Sequence, residues 1–327
     1  MTETAERAVK CMLAMQRYPW EQGVCAQALY EAGRDDLFIP MAYDAVKRQS
    51  ADGRLAMLGG GSAVSDPASN GEVCLRAYER TGDETLLNAA RRMLEYLKNA
   101  APRTPDGIIC HNLKTHHEGF SPFQLWIDGM YMVPPFLACM GETDWASEQI
   151  RGYIRHLYDK ESGVFFHIVD CLDGRFVRRK RWATGNGWAL MGLVRVIDAA
   201  RKQGNTCVQE EMTAFLNRLL KAVMRYQMPD GRFHDILDDE TSFADGTSAM
   251  MAAAAIYRGI YTGCVPRAFE PAAERAYRTV QNKVDAAGFV REVCGCPDFQ
   301  SEGTSAEAQA AFVMADAWRE KLQAPAV

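Results

Sequence analysis

Apolar residues recur at three- and four-residue spacing along nearly the whole chain. The spacing predicts helices over 5–17, 21–32, 36–49, 67–80, 84–99 and 122–139. It continues through 145–158, 183–203, 207–227, 244–261, 268–284 and 303–321, which makes twelve helices in six pairs. Thr81-Gly82-Asp83 reads as the stop of one helix and the start of the next, and Gly33 and Gly204 read as further stops. The run Ala249-Met250-Met251-Ala252-Ala253-Ala254-Ala255 suits a helix packed on every side. A short turn repeats between the helices, at Asp52-Gly53, Asp106-Gly107, Ser162-Gly163, Asp230-Gly231 and Ala287-Gly288. Successive glycines stand 54, 56, 68 and 57 residues apart, the period of a repeated supersecondary unit rather than of two unrelated domains. Six hairpins of similar length close into an all-α (α/α)6 barrel with parallel inner helices. The connections between hairpins then gather at one mouth, and the Asp-Gly turns form short β pairs along a rim. No linker divides the chain, so 1–327 is read as one domain, with Met1–Glu3 and Gln323–Val327 as its loose ends.

Composition adds limits. The chain is 48% apolar and 24% charged, enough for a large core, and its net charge of −5 with no basic run argues against a nucleic-acid partner. The first residues lack the pattern of a secretory signal, and no apolar run approaches the roughly 18 residues of a membrane span. A cytoplasmic location with no membrane partner is the expectation. The ten cysteines are scattered, mostly within apolar helical patterns, and are expected to be reduced. Cys294-Gly-Cys296 lacks a second pair, and His111, His116 and His117 do not have a metal-ligand spacing, so no metal and no cofactor are expected. Nucleophile-elbow, Walker and dinucleotide motifs are absent, and Gly59-Gly60-Gly61 reads as a turn leading towards Asp66.

The densest chemical signal lies in 121–138, where a single carboxylate, Asp128, stands among apolar and aromatic side chains. Desolvation is expected to raise its pKa, as a general acid requires. Ser121 reads as a helix N-cap, with Pro122 at the first helical position and Gln124 completing a capping box. That reading puts Asp128 two turns into a helix, with Trp126 beside it, Met132 one turn further, and Pro134-Pro135 bending or ending the helix soon after. Asp66 precedes another helix, where it is either an N-cap or a second site carboxylate. Trp20, Trp126, Trp182 and Trp188 are four of only six tryptophans, and each falls near the start of an inner helix. Indole rings stack on the C–H faces of sugars. His117 occupies a loop eleven residues before Asp128, and His167 follows the Gly163 turn.

The pattern Trp126-x-Asp128-x-x-Tyr131-Met132-x-x-Pro135-Phe136 resembles the signature of the unsaturated glycuronyl hydrolases, glycoside hydrolase families 88 and 105. Arg181-Trp182-Ala183-Thr184-Gly185-Asn186-Gly187-Trp188-Ala189, Gly303-Thr304-Ser305-Ala306-Glu307-Ala308-Gln309 and Trp20-Glu21-Gln22-Gly23 agree with it, and family 105 is the nearer of the two. The resemblance implies a six-hairpin glycosidase-like barrel with Asp128 as general acid/base. It implies Asp66 as a second acid that raises the pKa of Asp128 by like-charge proximity. The implied substrate-binding set is Trp20, His117, Trp126, Met132, His167, Trp182, Thr184, Asn186 and Trp188. The implied substrate is a small lyase-generated oligosaccharide ending in an unsaturated uronate, cleaved without a cofactor by hydration of its C4=C5 bond.

One position departs from the family pattern. Thr184 stands where many members carry Arg, and Thr cannot grip a sugar carboxylate as a guanidinium does. The charge is then expected from Arg179, Lys180 or Arg181, or a different sugar is bound, with the unsaturated rhamnogalacturonan disaccharide a poor substrate. Two other classes fit the same barrel: a sugar epimerase or isomerase working through His117, His167 and His234, and a non-catalytic glycan-binding relative.

Overall fold

The structure, a computed structural model, describes residues 1–57 and 61–324; Gly59 and Gly60 of the glycine turn, and the last three residues of the expected loose end, lie outside them. Twelve α-helices run in order among the described residues: α1 (Glu3–Met15), α2 (Pro19–Glu31), α3 (Asp35–Lys47), α4 (Ala68–Thr81), α5 (Glu84–Asn99) and α6 (Gly129–Cys139). They continue with α7 (Thr143–Leu157), α8 (Ala183–Lys202), α9 (Thr206–Val223), α10 (Gly246–Thr262), α11 (Glu270–Gln281) and α12 (Ala306–Gln323). The even-numbered helices touch one another in sequence, and α12 packs on α2 to close the ring. The odd-numbered helices lie outside it, so the fold is the (α/α)6 barrel.

Composition explains which helices are inner. Helix α8 is buried from Ala183 to Ala200 and α10 along nearly its whole length, so neither has a polar face to turn towards water. The outer α5 is amphipathic, burying Leu86, Ala89, Ala90, Met93, Leu94 and Leu97. Its N-cap Asp83 accepts from Thr85 N, directly after Gly82 has ended α4 in the left-handed region at φ 71°. Each repeated turn glycine is also left-handed, from 78° at Gly163 to 104° at Gly53. Isolated β-bridges flank three of these turns, at Arg103–Ile109, Tyr158–Phe165 and Val284–Val290.

Three expectations are corrected. The chain start is tied down, because Thr2 donates through N and Oγ1 to the buried Asp316 at 2.9 and 2.7 Å. The helix expected over 122–139 begins only at Gly129. Residues Gln124–Trp126 instead form a short strand, β1, antiparallel to β2 (Ile168–Asp170), which pairs in turn with β3 (Phe176–Arg178). Ser121 is no N-cap; its hydroxyl donates to Asp170 at 2.6 Å, fastening the strand to its partner. Long-range pairing has thus overridden a local capping pattern. Pro134 and Pro135 lie inside α6, which continues to Cys139. The lost N–H groups cost only the two ladder bonds to the carbonyls of Met130 and Tyr131.

Candidate active site

A cavity of about 650 Å³ opens at the end of the barrel where the inner helices begin. Trp20 enters it from the first turn of α2, Asp66 from just before α4, and Asp128 from the N-cap position of α6. Trp182 comes from the start of α8 and Glu307 from the first turn of α12. Helix N-termini carry unsatisfied N–H groups and the positive end of the helix dipole, so their convergence favours a negatively charged ligand.

Strand pairing, not helix periodicity, assembles the centre. Ile127 N donates to the His167 carbonyl at 3.0 Å, which sets His167 beside Asp128 although they are 39 positions apart in sequence. His167 Nε2 stands 3.5 Å from Asp128 Oδ2. The contact has ion-pair range but not hydrogen-bond geometry, and Asp128 Oδ2 and both ring nitrogens of His167 are buried without partners. Burial would push the Asp128 carboxyl up; the His167 imidazole, with His111 behind it, more than offsets this and holds it below its ordinary value. Burial lowers the pKa of His167 in turn, against the pull of Asp128. The expected raised pKa of Asp128 is therefore corrected for the free protein.

Of the two expected acids, the raised one is Asp66. Its side chain caps no helix; it lines the cavity 3.9 Å from His111 Nδ1, and Ser65 Oγ and His111 Nδ1 are 2.7 Å apart behind it. Burial pushes its pKa up, His111 pulls it down, and the nearby Asp128 adds to the rise. The like-charge effect expected on Asp128 falls on Asp66 instead.

An aromatic wall holds these groups. His111 stacks on Trp126 with centroids 4.6 Å apart, and His167 stacks on Trp182 at 4.4 Å. The Trp182 indole N–H donates to Asp235 at 3.0 Å, and Gln124 Oε1 lies 3.2 Å from Trp126 Nε1 and 3.3 Å from His117 Nδ1. Tyr18 and Trp20 stack at 4.6 Å on another side of the cavity. Met132 and Trp188 complete the lining, both almost fully buried.

Two expected residues lie outside the cavity lining. Thr184 is fully buried and donates to Asp245 at 2.9 Å. Asn186 is a backbone staple: its Oδ1 accepts from Phe165 N at 2.9 Å, and its Nδ2 donates to the Phe165 and Trp182 carbonyls. Thr184 faces the start of α10, and Asn186 faces the Phe165 segment that precedes β2. The expected cations are also elsewhere. Arg181 pairs with Asp159 and Asp238, and Arg179 covers Phe166 and Phe176. The cation in the cavity is Arg178 on β3, over the Trp182 ring at 5.8 Å and in no ion pair among the described residues. His234 is apart from the cavity, with Nδ1 2.8 Å from the Ser242 carbonyl, so His117, His167 and His234 form no common centre.

Sequence reading missed Arg178, His111, Phe299 and Glu307 as cavity residues. Glu307 and Phe299 carried no distinguishing local signal, although Glu307 lay within a noted stretch. Arg178 could have been found one residue before the basic run that was considered. Among the described residues no helix is long and apolar enough to cross a membrane.

The chain is 26% identical to unsaturated rhamnogalacturonyl hydrolase YesR of Bacillus subtilis over 280 residues, 82% of this chain and 79% of that protein. Its fold matches a family 105 glycoside hydrolase of C. acetobutylicum with a TM-score of 0.78 at 17% identity, covering 98% of this chain and 100% of the other. It matches a family 88 glycosyl hydrolase from Bacteroides vulgatus at 0.76 and 16% identity, covering 98% of each. The Glycosyl Hydrolase Family 88 model matches residues 1–314, and the chain belongs to that family.

Proposed function

We propose that this hydrolase acts as one unit to remove a 4,5-unsaturated uronic acid from small lyase-generated oligosaccharides by hydrating the C4=C5 bond. The observation that carries the reading is the pair Asp128–His167, whose buried polar atoms lack protein partners inside a tryptophan-lined cavity ringed by helix N-termini. Such atoms are costly to leave unsatisfied, and a bound sugar supplies the missing partners.

Asp128 is ionised in the free protein. A bound uronate adds a like charge, displaces water and engages the His167 nitrogens, so the influences that hold the Asp128 pKa down weaken and burial prevails. Asp128 then takes up a proton and delivers it to C4, while positive charge develops at C5 and the ring oxygen. Water adds to C5 and returns its proton to the same carboxylate. The resulting hemiketal opens as its C5–O ring bond breaks, leaving a ketone at C5 and a hemiacetal at C1. The hemiacetal collapses to an aldehyde, the C1–O bond to the leaving sugar breaks, and that sugar departs as an alcohol. Arg178 is the cation suited to the substrate carboxylate, in the role first sought at Thr184. Since Thr184 is outside the cavity lining and bonded to Asp245, its identity gives no reason to exclude the rhamnogalacturonan disaccharide, and the relation to YesR makes that compound the first to try. Ten unpaired cysteines fit a cytoplasmic location.

The test is a panel of lyase-generated unsaturated disaccharides, with loss of the enol-ether ultraviolet absorbance as the readout. Turnover of at least one member is expected, and no turnover of any member would overturn the reading.

A further inference from the structure

Glu307 has no place in the reaction just described, yet it is a carboxyl group on the cavity wall. It occupies the first turn of α12, is 3% exposed, and its Oε2 is buried without a hydrogen-bond partner. The groups facing it offer no counter-charge. Glu21 and Cys25 approach from α2, Asp128 from the start of α6, and Cys294 and Cys296 from the segment before α12. Glu21 is itself occupied, its Oε2 accepting from the N–H groups of Arg17 and Tyr18. No salt bridge reaches Glu307 among the described residues, where Arg195 by contrast neutralises the equally buried Glu31 and Glu72. Burying a carboxyl with no counter-charge beside it favours its protonated form.

We propose that Glu307 is a substrate-binding residue whose carboxyl O–H donates a hydrogen bond to an oxygen of the bound uronate. This rests on the functional reading above and extends it. An anionic ring entering a cavity that already holds Asp66 and Asp128 meets a donor at Glu307 rather than a third negative charge. Burial, then Glu21 and Asp128, pushes the Glu307 pKa up to about 8, so the donor is present at neutral pH and is lost above it. On ionisation the carboxyl both loses its proton and repels the substrate, so affinity falls steeply on the alkaline side.

The Asp128→Asn background isolates the effect, because turnover is suppressed and residue 128 no longer titrates. The dissociation constant of the unsaturated rhamnogalacturonan disaccharide, or of the panel member that the wild type cleaves best, is measured by calorimetry from pH 6 to 9. In Asp128→Asn the affinity should hold on the neutral side and weaken towards tenfold per pH unit once Glu307 ionises, which loss of the Asp128 charge moves to somewhat lower pH. The same protein with Glu307→Gln, a donor that cannot ionise, should bind within about threefold at pH 7, since the donated hydrogen bond is kept, and show no alkaline loss. An equal alkaline loss with Glu and with Gln, or none with either, overturns the inference while wild-type turnover leaves the functional reading standing. A wild type that cleaves no panel member overturns both.

Discussion

His167 Nε2 stands 3.5 Å from Asp128 Oδ2, and the imidazole holds this buried carboxyl below its ordinary pKa. Removing the imidazole leaves burial as the dominant influence on Asp128, so His167→Asn raises its pKa. A general acid works while protonated. The pH above which kcat/KM declines should therefore move upward in this variant, even as peak activity falls through the lost sugar contact. A limb that stays in place, or shifts towards acid, would contradict the coupling.

Arg178 lines the cavity with no ion pair among the described residues, and Arg178→Gln should raise KM for uronate substrates by about 10- to 100-fold, the scale of a hydrogen bond to a charged group. The kcat value should change far less, since a carboxylate grip binds ground state and transition state alike. A fall confined to kcat would show that Arg178 does not hold the carboxylate.

Thr184→Arg tests the corrected position. Thr184 is fully buried and bonded to Asp245, so a larger side chain there overpacks the α8–α10 contact and should destabilise by about 1–3 kcal/mol in urea unfolding. Gain of activity on the rhamnogalacturonan disaccharide is not expected; a rise of tenfold or more would return Thr184 to the sugar site.

Glu307→Gln should stabilise the protein. The folded pKa of about 8 lies above the ordinary glutamate value of 4.5, so the stability tied to the proton is full below about 4.5 and is lost as pH rises through about 8. Each pH step between those two values costs the wild type roughly 1.4 kcal/mol, and the advantage of Gln grows to several kcal/mol near pH 8. Tm should diverge between variant and wild type from pH 5 to 8; parallel curves would show that Glu307 ionises normally.

The helix count and the barrel were legible because twelve amphipathic or apolar stretches and five turn glycines each leave a local mark. The start of α6 was not. A three-residue strand such as Gln124–Trp126 is too short to show a period, and its pairing with Ile168–Asp170 is written in two distant segments. The same limit explains the site. Asp128 and His167 were identifiable singly, but their contact, and its downward pull on a carboxyl that composition alone would raise, depends on β1 meeting β2. Thr184 and Asn186 lay in a recognised stretch, yet which first-turn residues face the cavity depends on the rotation of α8.

The central claim is that Asp128 is the proton donor and acceptor for hydration of the unsaturated ring. Asp128→Asn keeps the shape and removes the proton, and the measurement is its turnover of the best panel disaccharide, alongside calorimetric binding of the same compound. Turnover should fall by at least about 10²- to 10⁴-fold while binding persists within about tenfold. An Asn variant that binds and turns over within about threefold of the wild type would contradict the account.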